Sequence, residues 1–180
     1  MFMKSERLSD RTAWERARAI RGVMLDVDGV LTDGRITLDE RGVETKSFNV
    51  KDGVGIRLLI RAGLRVAIIS GRSSPSVAVR AKDLGIEEVH QGVRDKVAVA
   101  QAILERWNIE EYETAFVADD LPDVPVLARV GLAVAVADAS LEVKERVHLV
   151  TQARGGHGAV REAAEFILKA RGEWNPLGVM

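Results

Sequence analysis

Short apolar runs and amphipathic stretches alternate along this chain with few interruptions. VMLDV at 23–27 is bounded by Gly22 and by Asp28-Gly29, the pattern of a buried strand. LRVAIIS (64–70), VHQG (89–92), TAFVADD (114–120), LAVAV (132–136) and HLVT (148–151) repeat that pattern. Helical periodicity fills the gaps: Asp10 to Ile20, Gly53 to Ala62, Ser74-Pro75 to Gly85, Asp95 to Trp107, Pro122 to Val130, Leu141 to Val147 and Ala159 to Arg171. Ser74 followed by Pro75 is a helix start, and Gly63 and Gly85 are helix stops. The one break in the alternation is RITLDERGVETKSFNV, which reads as a hairpin about the turn Asp39-Glu40-Arg41-Gly42.

Strands that are almost wholly apolar and alternate with helices predict a parallel sheet covered on both faces. The expected fold is therefore an α/β domain, a three-layer doubly wound parallel sheet with a β-hairpin after its first strand. A length of 180 residues fits one domain over 1–180, with a helical extension over 1–20 and a tail over 172–180.

Composition narrows the chemistry. The formal net charge of −1 gives no field that would draw nucleic acid or an anionic membrane, and 4% aromatic residues leave few stacking platforms for bases. The chain has no cysteine, which excludes disulfides, thiolate nucleophiles and cysteine-based metal sites and fits a reducing compartment. The charged N-terminal stretch lacks the apolar core of a secretory signal, and no run approaches the roughly 20 residues of a membrane span. A cytoplasmic location is expected.

Ligands of doubly wound sheets bind beyond the carboxyl ends of the strands. The first strand delivers Asp26 and Asp28, then Gly29. Residues i and i+2 of a strand point the same way, so these carboxylates would repel unless a cation sat between them or the chain simply turned into solvent at Asp-Gly. Other strand ends deliver Ser70, Gly71 and Arg72, then Lys96 at a helix start, then Asp119, Asp120 and Asp123. Each alone has an ordinary structural account as a cap, a loop or a solvated face. Together they suit a hard divalent ion, Mg2+ first, held by Asp26, Asp28 or its backbone, and Asp119. They also suit a phosphate bound by a hydroxyl, backbone N–H groups and a lysine. One carboxylate could then attack phosphorus while the other handles the leaving group's proton.

The set Asp26-Val27-Asp28-Gly29-Val30, Ser70-Gly71-Arg72, Lys96 and Asp119-Asp120-Leu121-Pro122-Asp123 resembles the four motifs of the haloacid dehalogenase-like phosphatases, in order. A response-regulator receiver uses a similar kit but carries its phospho-accepting Asp on a later strand than its acidic pair. DGVLTDGRI, SFNVKDGVGIRLL, GVRDK, LAVAVADA and GGHGAVRE extend the likeness to the small branch that contains 3-deoxy-D-manno-octulosonate (KDO) 8-phosphate phosphatases and sialic-acid-type nonulosonate 9-phosphate relatives. The resemblance implies release of phosphate from a phosphorylated sugar acid in KDO biosynthesis, Mg2+ dependence, a phosphoaspartyl intermediate, and a homotetramer whose hairpins complete neighbouring sites.

Residue by residue, the resemblance implies Asp26 as nucleophile and Asp28 as acid/base. Ser70, Lys96, Gly29 and Gly71 would serve the phosphate, and Asp26, Asp28 and Asp119 the metal. Arg72, Lys51 and Asp52 are the candidates for the rest of the sugar acid. Asp120 and Asp123 would fix the loop. Only Thr32 to Leu64 separates the first two motifs, too little for a cap domain beside the hairpin and a helix. Ala118 stands where the family pattern has Gly, and His157 where it has Arg, a change that bears on substrate rather than reaction. His90 and His148 fall in strand patterns and read as structural. The competing reading from another class is a non-catalytic oligomeric partner of a sugar-activating enzyme.

Overall fold

Among the described residues, six parallel strands carry the domain: β1 (Gly22–Leu25), β4 (Arg65–Ile69), β5 (Glu88–His90), β6 (Thr114–Ala118), β7 (Leu132–Ala135) and β8 (Leu149–Val150), in the order β5-β4-β1-β6-β7-β8. The computed structural model describes residues 10–175. β1, β6 and β7 are buried along their whole length, as their unbroken apolar sequences predict. β2 (Thr37–Leu38) and β3 (Glu44–Thr45) form a separate antiparallel hairpin, with Asp39 accepting from the N–H groups of Arg41 and Val43 inside its turn.

Helices α1 (Asp10–Ala17), α2 (Val50–Arg61), α3 (Pro75–Leu84), α4 (Lys96–Trp107), α5 (Val124–Leu127), α6 (Leu141–Lys144) and α7 (Ala159–Ala170) flank the sheet. α2 packs against α7 and α3, α7 against α1, and α4 against α5. The expected three-layer parallel α/β fold is the one observed. The helical extension expected over 1–20 is described from Asp10 and the tail over 172–180 as far as 175; the remainder of both lies outside the described residues. Among the described residues no helix is long and apolar enough to cross a membrane.

The helix ends follow local chemistry. α3 begins after Ser74 with Pro75 and ends at Gly85, whose φ of +79° suits glycine. α2 starts three residues earlier than its periodicity suggests, because the Asn49 side chain caps it by accepting from Lys51 N at 2.8 Å. The helix expected over Pro122 to Val130 is instead a 3-10 turn (Leu121–Asp123) followed by the single turn of α5. Pro122 and Pro125 each lack an N–H, so a continuous ladder cannot form there.

β1 is the centre of the sheet, with Leu25 opposite Ile68 of β4 on one side and Val117 of β6 on the other. The chain runs outward from β1 through β4 to β5, then crosses back through α4 to β6. The strand order therefore reverses between β1 and β6, and the crevice beyond their carboxyl ends is the place where such sheets bind ligands.

Candidate active site

The first strand ends two residues before the VMLDV run does. Its ladder ends at Leu25, and Asp26 sits just beyond with its N–H donating to Val117 O at 3.1 Å. The chain then turns sharply: Val27 O accepts from the N–H groups of Val30, Leu31 and Thr32. Gly29 sits in this turn at φ +88°, and a Cβ there would lie 2.1 Å from Asp119 Oδ2. Only glycine allows both that backbone and that approach. On the other side Gly155 abuts the same turn, since a Cβ on it would lie 1.7 Å from Gly29 O, while Gly156 N donates to Val30 O at 2.9 Å. The GGHG segment is thus the packing partner of the first-motif loop.

α4 brings the balancing charge. Asp95 caps the helix through Ala98 N at 3.0 Å, and Lys96 follows as its first residue. The Lys96 ammonium, 8% exposed, donates to Asp26 Oδ1 at 2.9 Å and to Asp123 Oδ1 at 2.5 Å. Carboxylate oxygens of Asp26, Asp119 and Asp123 all lie within 4.8 Å of one another. Burial, partly offset by Lys96, pushes the Asp26 carboxyl up. Burial and the neighbouring carboxylates push Asp119 and Asp123 up to about 7. Burial alone would lower Lys96, but Asp26 and Asp123 outweigh it and hold the ammonium above its ordinary value. One ammonium facing three crowded carboxylates leaves negative charge uncompensated, which is the donor set of a hard divalent cation.

Asp28 does not share this cluster. Its carboxylate turns to the hairpin, accepting from the Lys46 ammonium, with Arg72 Nε 3.8 Å from its other oxygen. Glu44 joins them, accepting from Lys46 at 3.0 Å and from Arg72 Nη2 at 3.2 Å. The third carboxylate of the cluster is Asp123, which the sequence read as a loop-fixing group, while Asp28, expected at the metal through its carboxylate or its backbone, keeps its carboxylate outside the cluster. The displacement is geometric: Asp26 and Asp28 follow the strand rather than ending it, so the i, i+2 rule no longer applies to them.

The remaining candidates divide. Ser70, 2% exposed, follows β4 beside β1, its N–H donating to His90 O at 2.8 Å and its Oγ accepting from Arg72 N at 3.2 Å. Gly71 is exposed at the same strand end, and Lys51 is exposed on the first turn of α2. Asp52 corrects the reading of it as a sugar-acid contact: it is 1% exposed and caps α7, accepting from Arg161 N at 2.8 Å and Gly158 N at 3.3 Å. His157 is exposed, with Nδ1 2.7 Å from Gly155 O. His90 pairs with Glu88 at 2.9 Å, and His148 Nδ1 accepts from Ala133 N at 2.9 Å, both in structural roles. Sequence reasoning missed Lys46 and Glu44. Their spacing of two on a short hairpin strand was the available signal, but nothing in it indicated what the strand would face.

A parallel sheet with a carboxylate, lysine and hydroxyl set at its switch point defines the class as haloacid dehalogenase-like. Residues 86–162 match the family of haloacid dehalogenase-like hydrolases. The chain is 45% identical over 157 residues to the KDO 8-phosphate phosphatase of Yersinia pestis, covering 87% of this chain and 84% of the relative. It is 45% identical over 158 residues to that of Escherichia coli K12, covering 88% and 84%. The solved structure of the Moraxella catarrhalis phosphatase, in complex with magnesium ion, phosphate ion and KDO, superposes with a TM-score of 0.89 at 38% identity, covering 91% of this chain and 94% of that one. The chain belongs to the KDO 8-phosphate phosphatase family, and it is a phosphatase.

Proposed function

We propose that the chain hydrolyses 3-deoxy-D-manno-octulosonate 8-phosphate, releasing phosphate from a sugar acid, with Mg2+ as cofactor. The observation that carries the substrate is 45% identity to phosphatases of that name over 87% of the chain. The ligands of the Moraxella catarrhalis relative, magnesium, phosphate and KDO, support the same reading.

Asp26, Asp119 and Asp123 would hold the ion, together with the backbone at Asp28. Bound there, Mg2+ would offset the repulsion between these carboxylates and an incoming anionic phosphoryl group. Asp26 attacks phosphorus and forms a phosphoaspartyl intermediate. Lys96, already hydrogen-bonded to Asp26, orients the nucleophile and stabilises negative charge on the transferring oxygens. Ser70 and the backbone N–H groups beside Gly29 and Gly71 bind phosphate oxygens. Asp28, outside the carboxylate cluster, protonates the leaving oxygen and then takes the proton of the attacking water. Lys51 and Arg72 face the sugar acid.

Among the described residues no cap domain covers the crevice, and the hairpin carries exposed Ile36, Leu38 and Val43. Those apolar positions support a homotetramer in which hairpins close neighbouring sites. One domain spanning 1–180 and a cytoplasmic location complete the proposal.

The test is phosphate release across a panel of sugar-acid phosphates, with Mg2+ and with EDTA. Turnover of the octulosonate ester that vanishes with chelation and with Asp26→Asn is the expected result. Preference for a nonulosonate 9-phosphate would move the substrate assignment. Absence of turnover on every ester, with tight binding to a sugar-activating enzyme, would replace catalysis by the partner role.

A further inference from the structure

Lys46 lies one residue past β3, yet its side chain is only 1% exposed. Its ammonium donates to Asp28 Oδ1 and to Glu44 Oε1, the latter at 3.0 Å. Arg72 closes the ring, with Nη2 3.2 Å from Glu44 Oε1 and Nε 3.8 Å from Asp28 Oδ2. Two carboxylates and two cations therefore alternate around the mouth of the site. Lys46 to Asp28 and Arg72 to Glu44 are hydrogen bonds that tie the hairpin to the rest of the domain.

An exposed ion pair contributes little to stability and needs no functional account. Lys46 is different, because desolvating an ammonium is costly unless well-placed acceptors compensate. Its two acceptors are Glu44, two residues earlier in the hairpin, and Asp28 of the first-motif loop. The two oxygens of Asp28 are consequently not equivalent. Oδ1 is engaged by a hydrogen-bonded ammonium, whereas the guanidinium beyond Oδ2 stands outside hydrogen-bonding distance.

We infer that Lys46 is the positioning residue for the acid/base Asp28, holding Oδ1 so that Oδ2 carries the proton to and from the reacting oxygens. This rests on the reading of Asp28 given above. In the first half-reaction the bond from phosphorus to the leaving oxygen breaks, its electron pair stays on that oxygen, and the proton on Oδ2 passes to it. Throughout, the Lys46 ammonium keeps its protons and its hydrogen bond to Oδ1. In the second half-reaction Oδ2 takes a proton from water as the water oxygen bonds phosphorus and the bond to Asp26 breaks. The hairpin thus contributes to the chemistry of its own chain as well as to any closure over a neighbour.

The leaving group separates this role from a structural one. An alkyl phosphate requires a proton on its leaving oxygen, whereas p-nitrophenyl phosphate releases p-nitrophenolate, a stable anion. Lys46→Met and Lys46→Gln are expected to lower kcat/KM on the sugar-acid phosphate about 100-fold and on p-nitrophenyl phosphate less than about 5-fold. Lys46→Arg is expected to restore most of the difference. Asp28→Asn should show the same selectivity, and combining it with Lys46→Gln should add nothing. Equal losses on both esters, losses that add to those of Asp28→Asn, or no loss overturn the inference and leave the proposed function standing. A wild-type protein that releases phosphate from neither ester overturns both.

Discussion

Lys96, the first residue of α4, places its ammonium 2.9 Å from Oδ1 of Asp26, a residue 70 positions earlier in the chain. The two meet because the crossover from β5 to β6 passes over the carboxyl end of β1. Removing the lysine leaves Asp26 and Asp123 without their cation. Lys96→Met is expected to lower kcat at least about 100-fold, the scale of losing one charge-stabilising donor. Steady-state kinetics at saturating Mg2+ and substrate measure it.

The crowding of Asp119 and Asp123 makes metal-free stability depend on pH. Both carboxyls titrate at about 7 in the fold against 3.8 as ordinary aspartates, so between those values the folded chain holds protons that the unfolded chain has released. Their contribution is most favourable below pH 3.8 and is lost as pH rises to about 7. A divalent ion abolishes the penalty by taking the place of those protons. The gain in Tm on adding Mg2+ is expected to grow from pH 5 to pH 8, and Asp119→Asn should flatten the trend. A gain that is the same at both pH values would contradict this.

His148 acts in the opposite direction. Burial, with Arg16 nearby, pushes its imidazole down to about 4, and its neutral Nδ1 accepts from Ala133 N. The unfolded chain binds the proton first, so this contribution is complete above about pH 6.5 and lost as pH falls to about 4. His148→Leu should remove that part of the acid slope in thermal melts. It should also cost about 1–3 kcal/mol at neutral pH by orphaning the Ala133 N–H.

Gly29 tests the approach of two loops. A methyl group at φ +88° would sit 2.1 Å from Asp119 Oδ2, so Asp119 must move. Gly29→Ala is expected to destabilise the fold by at least about 1–2 kcal/mol, from the left-handed backbone alone. It should also weaken Mg2+ binding, read as a rightward shift of the activity titration.

Asp52 belongs to stability rather than to the substrate. Asp52→Ala removes the acceptor for Gly158 N and Arg161 N at the start of α7. A loss of about 1–2 kcal/mol in denaturant unfolding is expected, the value of a helix cap. Below the melting transition kcat should be retained.

Most of the fold could be read along the chain because its signals are local. Unbroken apolar runs mark β1, β6 and β7, Ser74-Pro75 and Gly85 mark α3, and Asp95 marks the start of α4. Each depends on residues a few positions apart and on backbone preferences that need no tertiary partner. The same locality put Asp26, Ser70, Lys96 and Asp119 forward as candidates, since strand ends in a parallel sheet converge on one edge whatever the details. Tertiary structure alone decided the rest. It turned Asp28 toward Lys46, brought Asp123 into the carboxylate group, and set Asp52 beneath α7 rather than in the crevice. An aspartate's side chain looks the same in sequence whether it meets a metal, an ammonium or a helix N-terminus. Which it meets depends on packing between segments as far apart as 52 and 161, and that is specified only by the folded chain.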